Sequence, residues 1–238
     1  MSSRADPNYL DDDRAFQEPK EIFKQLLSLV SAERGDDAIS LLDVGCAAGA
    51  FLFHATRSLR LDARSTVGLD PAELLLVEAR RRLPDLEFVR GSIDDNAVLS
   101  GRRFDVCTAM GVMSLFQDIE APLRNLVRLT RPGGMILVFD TVNDDPVDVL
   151  VSYRRADVAD APWESGLNVR SRFTYETLLA KVAPEAEVEF TPFRMPFAIP
   201  KGDDPLRSWT IGTADDPNQL VVGTRQLLTS SIVRIRIR

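Results

Sequence analysis

Residues 41–52 read LLDVGCAAGAFL, an apolar run, a turn of small residues and a second apolar run. The first run predicts a buried strand at 39–44, and the second predicts a helix at 48–59. The turn between them contains the small side chains of Gly45, Ala47, Ala48 and Gly49. Small residues let a ligand approach the backbone closely, and a helix that begins there offers free N–H groups. The stretch therefore predicts a turn that can hold a carboxylate or a phosphate.

Short apolar runs alternate with helical patterns along the first 140 residues. Strands are predicted at 39–44, 65–69, 86–89, 104–110 and 135–140. Helices are predicted at 19–33, 48–59, 71–83 and 120–130, with a short helical turn at 94–99 and a stop at 131–134. Strands separated by helices form a parallel sheet that is covered on both faces. The predicted fold class is therefore α/β with a doubly wound sheet, which binds ligands at the carboxyl ends of its strands.

The second half of the chain is less regular. A helix is predicted at 174–182 and a strand at 186–193. The tail at 231–238, SIVRIRIR, alternates apolar and basic residues, which is the pattern of a strand. This half therefore adds two strands to the predicted fold.

We interpret residues 1–238 as a single domain, because no linker rich in Gly, Ser or Pro divides the chain. An N-terminal lid is predicted at residues 1–18. Substrate-side insertions are predicted at about 141–172 and 194–230, the second with a short strand near 207–211.

Composition limits the classes of partner. The net charge of −7 argues against a nucleic-acid partner, and the basic runs at 80–82 and 234–238 are interpreted as solvated surfaces. Cys46 and Cys107 lie in apolar segments, which indicates a reducing compartment and no disulfide. The first residues are too polar for a signal peptide, and no apolar run has the length of a membrane span. We therefore expect a cytoplasmic protein with no membrane partner, and we predict no metal site.

The strands that follow the first one end in residues suited to a nucleoside. The second ends in GLDP at 68–71, where the carboxylate of Asp70 can accept hydrogen bonds from both hydroxyls of a ribose. The third ends in RGSID at 90–94, where Gly91 lets the chain pass close to a flat ring. The fourth ends in MGVM at 110–113, an apolar loop that can cover the other face of that ring. Each could be an ordinary loop, but their order indicates one nucleoside site.

Over roughly residues 20–140 the sequence resembles the class I S-adenosylmethionine (SAM)-dependent methyltransferases. In the first motif of that family an acidic residue and spaced glycines surround the methionine part of the cofactor. Asp43, Gly45 and Gly49 match this motif, and Ala47 stands where a glycine is commonest. The resemblance implies SAM as the cofactor.

The later motifs of the family match in order. Asp70 matches the ribose-binding acid, residues 91–94 match the adenine loop, FD at 104–105 opens the fourth strand, and RPGG at 131–134 matches the turn before the fifth. The resemblance implies a seven-stranded, mostly parallel sheet whose last strand, the tail, is antiparallel and pairs with 186–193. The cofactor contacts predicted from these motifs are Asp43, Gly45, Cys46, Ala47, Gly49, Phe51, Asp70, Pro71, Gly91, Ser92, Ile93, Met110, Gly111 and Val112.

The predicted reaction aligns a nucleophile with the methyl carbon of a sulfonium, and an oxygen acceptor also gives its proton to a base. Asp140, at the end of the fifth strand, is a candidate for base, substrate ligand or loop cap. His54 is the second candidate base, and a structural role on a helix face is the favoured alternative. Candidate contacts with a small-molecule acceptor are Tyr9, Tyr153, Arg154, Trp163 and Trp209.

The C-terminal half faintly resembles methyltransferases of carbohydrate modification, and Arg154 could hold an anion. The acceptor atom is therefore predicted to be an oxygen on a carbohydrate-like or anionic metabolite.

Two alternatives remain at this point. A nicotinamide-dependent oxidoreductase would need G-x-G-x-x-G after the first strand, and residues 45–50 lack its second and third glycines. The sequence leaves open a SAM-binding module without catalytic activity.

Overall fold

A computed structural model describes residues 13–238 of the chain. Its helices are α1 (Asp13–Gln17), α2 (Glu21–Arg34), α3 (Ala50–Ser58), α4 (Glu73–Arg82), α5 (Glu120–Leu129) and α6 (Arg172–Val182). The first strands are β1 (Leu41–Val44), β2 (Val67–Asp70), β3 (Glu87–Arg90), β4 (Phe104–Met110), β5 (Thr130–Asn143) and β6 (Ser152–Tyr153). The remaining strands are β7 (Glu164–Ser165), β8 (Arg170–Ser171), β9 (Glu187–Pro192), β10 (Trp209–Ile211), β11 (Gln219–Val221) and β12 (Ser230–Arg236).

The central sheet has the strand order β3-β2-β1-β4-β5-β12-β9. Strands β1 to β5 pair in parallel, and β12 runs antiparallel to both of its neighbours, β5 and β9. The prediction of a mostly parallel α/β sheet with an antiparallel last strand is therefore confirmed. The two-residue strand β8 also pairs with the end of β5 and makes the sheet eight-stranded, which the sequence did not predict.

The sheet separates two hydrophobic cores. Leu42 and Val44 of β1 pack into one core with α5 and α6, and Leu41 packs into the other with α2 and α3. This division follows from the alternation of side chains along a strand. Every residue of β1 and β2 is buried, as expected of strands covered on both faces, although Asp43 and Asp70 interrupt the apolar runs.

Two short segments were predicted only in outline. Residues 94–99 form hydrogen-bonded turns, in which Val98 N donates to Asp95 O, and they do not extend into a helix. Helix α5 ends at Leu129, so the predicted stop is confirmed, but residues 131–134 belong to β5. They bulge out of register with β4, because Thr130 pairs with Phe104 and Met135 pairs with Val106.

The N-terminal part of the described chain is packed on the domain. Phe16 of α1 stacks edge-on against Phe53 with 5.3 Å between ring centroids, and the Arg82 guanidinium lies 4.1 Å from the centre of the Phe16 ring. Asp13 and Arg82 form an ion pair at 2.6 Å. The predicted lid at residues 1–18 is thus described only from Asp13 onward, where it is a short helix held against α3 and α4.

Within the insertions the structure shows two small antiparallel pairs, β6 with β7 and β10 with β11. The β6–β7 pair closes the loop at 152–165, and we call this loop the flap. Among residues 13–238 we find no helix that is both long and apolar enough to cross a membrane.

Candidate functional site

A cavity of about 1150 Å³ opens at the carboxyl ends of β1, β2, β4 and β5. One half is lined by the loops that follow β1, β2, β3 and β4. The other half is lined by the end of β5, by residues 114–117, by the flap and by parts of the second insertion. The cavity therefore lies where the topology of a doubly wound sheet places a ligand.

The turn after β1 forms a cradle at residues 45–49. Gly45, Ala47 and Gly49 all have positive φ values, of 71°, 47° and 86°. A Cβ on Gly45 would lie 2.6 Å from the Val112 Cγ2 atom, so this position accepts no side chain without movement. Helix α3 begins after the turn without a side-chain cap, which leaves N–H groups of its first turn for an anionic ligand.

Ala47 adopts a left-handed conformation at the position where the family most often has glycine. This conformation costs an L residue about 1–2 kcal/mol, and glycine recovers that energy against about 0.4–1 kcal/mol of extra unfolded-state entropy. We expect Ala47→Gly to raise the free energy of unfolding by up to about 1 kcal/mol, measured by denaturant titration. Its neighbour Ala48 has no positive φ, so Ala48→Gly should lower that free energy. Equal destabilisation by both changes would contradict the strain at Ala47.

Asp43 is a buried carboxylate at the end of β1 that faces the cavity. The Thr108 hydroxyl donates to its Oδ1 atom at 2.7 Å. No described residue donates to its Oδ2 atom, which is also buried. Burial and the nearby charge of Asp70 raise the pKa of Asp43 to about 7, although the Thr108 bond lowers it. A cationic ligand group at Oδ2 would satisfy this oxygen and favour the charged carboxylate.

Asp70 connects the cradle to the helix that follows β2. Its Oδ2 atom accepts from Ala47 N at 2.9 Å and its Oδ1 atom accepts from Ala72 N at 2.8 Å. Burial raises the pKa of Asp70, and these two backbone bonds act against that rise. Each carboxylate oxygen can accept a second hydrogen bond, so two ligand hydroxyls still fit. The hydrogen bonds that Asp70 accepts from Ala47 N and Ala72 N were not predicted from the sequence.

The loops after β3 and β4 form two walls of the same half of the cavity. Gly91, Ser92 and Ile93 line one wall, and residues 110–112 line the other. The Asn125 side chain donates to Ile93 O at 2.7 Å and fixes the first wall. A flat ring between these walls would contact main chain on one face and apolar side chains on the other.

The predicted cofactor contacts are brought together, with one exception. All of them line the cavity except Gly49, the last residue of the cradle, where a Cβ would lie 3.3 Å from a Leu83 side-chain carbon. These residues were proposed as contacts from sequence motifs, and the geometry shows that they share one surface.

Asp140 lines the cavity at the end of β5, beside residue 114. Its Oδ2 atom accepts from Ser114 N and its Oδ1 atom accepts from Thr141 N, both at 2.8 Å. Burial raises the pKa of Asp140 to about 6, even though the backbone bonds lower it. The group is therefore mostly a carboxylate at neutral pH and can take a proton from a neighbouring N–H or O–H.

His54 does not line the cavity. Its Nε2 atom lies 2.8 Å from Ala15 O, and its ring packs edge-on against Phe53 with centroids 5.4 Å apart. The side chain is buried between α1 and α3. His54 therefore makes a structural contact and lines neither half of the cavity.

The predicted substrate contacts divide into two groups. Tyr153 and Trp163 line the cavity from the flap. Arg154 does not line it and lies 5.3 Å from the centre of the Trp163 ring. Trp209 is buried in the β10–β11 pair under Lys201, away from the cavity. Tyr9 lies outside the described residues.

Residues 113–117 carry a set of contacts that sequence reasoning missed. Asn168 N donates to Ser114 O at 3.0 Å, and the Asn168 side chain donates to Phe116 O at 2.9 Å. The buried Arg170 side chain donates to Phe116 O and to Gln117 O. Together with the Asp140 bond to Ser114, these contacts fix the segment that separates the two halves of the cavity. Among residues 13–238 no group of His, Cys, Asp and Glu is arranged to hold a metal ion.

Comparison with known proteins agrees with this geometry. Residues 42–136 match the family model described as a methyltransferase domain. The dTDP-3-amino-3,4,6-trideoxy-alpha-D-glucopyranose N,N-dimethyltransferase of Streptomyces venezuelae is 32% identical over 109 residues, which are 44% of this chain and 44% of the relative. The malonyl-acyl-carrier-protein O-methyltransferase of Serratia marcescens is 33% identical over 135 residues, 57% of this chain and 49% of the relative. The chain thus matches less than half the length of each of these curated relatives.

A solved structure shows the same fold over the whole chain. The SAM-bound amino pentose methyltransferase of Micromonospora echinaspora superposes with a TM-score of 0.58 at 19% identity, and the match covers 96% of each chain. The matched domain includes Asp43, the cradle, Asp70 and the loops that follow β3 and β4. Residues 42–136 of this chain therefore match a methyltransferase domain, and the chain has the fold of this SAM-bound methyltransferase.

Proposed function

We propose that this protein transfers the methyl group of SAM to a small-molecule acceptor. The observation that carries the proposal is the buried Asp43 carboxylate, whose Oδ2 atom has no partner among the described residues and lies beside the cradle. A buried charged oxygen without a partner is costly in a folded protein. The ammonium group of a bound amino acid would supply that partner.

The remaining lining residues fit the other parts of SAM. The first turn of α3 suits its carboxylate, Asp70 suits its ribose hydroxyls, and Gly91 to Ile93 suit its adenine. SAM supplies an electrophilic methyl group when bound. The chain's own part is then to orient the acceptor against that group, exclude water and accept a proton. We assign the proton-accepting role to Asp140, because it is the carboxylate that lines the cavity at the end of β5, beside residues 114–117.

The acceptor side of the proposal rests on the size and position of the cavity. Its volume exceeds the upper end of the usual range for small-molecule sites, about 1000 Å³, so the cavity has room for a cofactor and a second ligand. Tyr153 and Trp163 of the flap would contact that second ligand. Oxygen as the acceptor atom and a carbohydrate-like acceptor remain predictions. The relatives act, by their names, on both nitrogen and oxygen.

The expected location is the cytoplasm, where thiols stay reduced. Cys46 and Cys107 are both buried and unpaired in the structure. The net charge of −7 also supports a small-molecule acceptor over a nucleic acid. The matched domain does not support a nicotinamide-dependent oxidoreductase. Only a measurement of methyl transfer separates the proposed enzyme from a SAM-binding module without catalytic activity.

The test begins with cofactor binding. SAM and S-adenosylhomocysteine should bind with one-to-one stoichiometry in calorimetry. Asp70→Ala should weaken that binding by about 10- to 150-fold, because hydrogen bonds to a charged group contribute about 1.5–3 kcal/mol. Asp62 caps a turn just before the same strand, away from the cavity, so Asp62→Ala should leave the affinity unchanged. Unchanged affinity in Asp70→Ala would contradict the ribose assignment.

The second step is turnover with methyl-tritiated SAM and a panel of small amines and alcohols. Transfer of label to any acceptor supports the proposal. A protein that binds SAM and transfers no label to any acceptor would favour the binding-module alternative.

A further inference from the structure

Asn168 is a buried side chain that joins two separate parts of the acceptor half. It is 1% exposed, and its backbone N donates to Ser114 O at 3.0 Å. Its Nδ2 atom donates to Phe116 O at 2.9 Å, and its Oδ1 atom accepts from Val151 N at 2.8 Å. Asn168 therefore connects residues 114–116 to Val151, the residue directly before the flap.

The same contacts lead to the candidate base and to the acceptor walls. The backbone N of Ser114 donates to the Oδ2 atom of Asp140 at 2.8 Å. Residues 114–117 line the cavity beside this bond, and Tyr153 lines it from the flap, two residues after Val151. Asn168 does not line the cavity itself. A change in its side chain would therefore act on the site through the backbone that it holds.

A second attachment limits the damage that a substitution at Asn168 would do. The Arg170 guanidinium also donates to Phe116 O, and it donates to Gln117 O as well. Loss of the Asn168 side chain would leave Phe116 O with a donor and would leave Val151 N without its acceptor. We therefore expect a folded protein in which residues 114–116 and the start of the flap are no longer held to each other.

Building on the proposed methyl transfer, we propose that Asn168 is a positioning residue for that reaction. It holds Ser114 N against the Asp140 carboxylate, and it holds the start of the flap against the same segment. The distance between the base and the flap wall, and so the fit of the acceptor, is set by the two ends of one amide side chain.

A neutral substitution at Asn168 changes no charge around Asp140. Burial raises the pKa of Asp140, and the bond from Ser114 N lowers it. Tyr175 of α6 interacts with this carboxylate and stays protonated, because burial and the Asp140 charge raise its pKa well above the usual range. Arg170 and Asp148 act on the same tyrosine. Other charged side chains that line the cavity include Lys20, Asp43, Asp70, Asp94 and Glu164.

An NMR pH titration of Asn168→Ala tests the proposal on the full chain without cofactor or acceptor. The Ser114 amide proton reports on the ionisation of Asp140, with a midpoint at about pH 6 in the native protein. The variant should raise this midpoint by about 0.5 to 1 unit, because a hydrogen bond to the ionised carboxylate is weakened. Asn168→Ser removes less of the side chain and should shift the midpoint in the same direction.

Asn125→Ala is the matched control. Asn125 is also 1% exposed, and its side chain donates to Ile93 O at 2.7 Å on the cofactor side of the cavity. This variant should lower thermal stability as Asn168→Ala does, and it should leave the midpoint within about 0.2 units of the native value. An unmoved midpoint in both Asn168 variants, or an equal shift in the control, would overturn the positioning role. Failure of both Asn168 variants to fold would do the same, since it would show a structural role alone.

The titration separates this inference from the proposed function, because it requires neither binding of SAM nor turnover. With an acceptor identified by the tritium assay, the pH limb of turnover in Asn168→Ala should move by the same amount as the midpoint. A midpoint that moves while the limb stays in place would contradict Asp140 as the base, which belongs to the proposed function, and would leave the positioning of its carboxylate supported.

Discussion

Replacing Asp140 by asparagine is expected to slow methyl transfer by about 10²- to 10⁴-fold, the usual contribution of a general base. Asparagine keeps an oxygen that can accept from one of the two backbone donors, Ser114 N or Thr141 N, but it cannot take a proton. The base is active when ionised and its pKa is about 6. Turnover should therefore rise with pH up to about 6 and then level off, and this limb should vanish in the variant.

The control for this experiment is a carboxylate of the first insertion that lies outside the cavity lining. Asp148 accepts from Ser171 N at 2.7 Å and from the Thr174 hydroxyl at the start of α6, and it does not line the cavity. Asp148→Asn should lower thermal stability and leave turnover and its pH profile intact. An Asp140→Asn protein with turnover within about threefold of the native value would show that Asp140 only holds residues 114 and 141 together.

Replacing Asp43 by asparagine is expected to have opposite effects on folding and on cofactor binding. The raised pKa of about 7 means that the folded, ligand-free protein binds more protons than the unfolded chain between about pH 4 and 7. The stability contributed by this group therefore falls as pH rises through that range. At pH 8 the variant should be more stable than the native protein, by at most about 4 kcal/mol at about 1.4 kcal/mol per pKa unit. The buried amide still lacks a partner, so the gain lies below this ceiling.

Affinity for SAM should change in the other direction. A bound ammonium favours the ionised carboxylate, so native affinity should fall by up to about tenfold for each pH unit below 7. In Asp43→Asn the affinity at pH 8 should be lower, and this pH dependence should be absent. The check is calorimetry of both proteins from pH 5.5 to 8.5. The cofactor titrates in the same way in both series, so the difference between them is the contribution of Asp43.

Thr108→Val provides a matched variant for this prediction. The Thr108 hydroxyl lowers the pKa of Asp43, so its removal should raise that pKa and move the loss of affinity to a higher pH. Identical pH profiles for the native protein and Asp43→Asn would contradict the role assigned to the Oδ2 atom of Asp43.

The central fold was predictable because its strands are short apolar runs in regular alternation with helices. The pairing of β12 with β9 was implied by the family resemblance, and the structure confirms it. The short strand predicted near 207–211 is β10, but its pairing with β11 and the β6–β7 pair could not be predicted. Strands of two or three residues carry too few side chains to show a period, and distant packing decides whether they form.

The loops of the site were predictable for a geometric reason. Parallel strands bring their carboxyl ends to one edge, so Asp43, Asp70 and Asp140 had to lie near each other. Their partners could not be predicted in the same way. The hydroxyl that bonds Asp43 comes from a residue 65 positions later, and the amide that fixes Ile93 comes from one 32 positions later. For His54 the position in the sequence was misleading. The residue follows the cradle closely, but its ring faces α1.

Residues 113–117 are anchored by two parts of the chain, the central sheet and the first insertion, which can be changed independently. One anchor, Asp140, comes from the central sheet, and the other, formed by Asn168 and Arg170, comes from the end of the first insertion. The flap at 152–165 supplies neither anchor. A cassette of foreign sequence grafted there should alter which compound is methylated while the nucleoside end works as before, provided both anchors are retained.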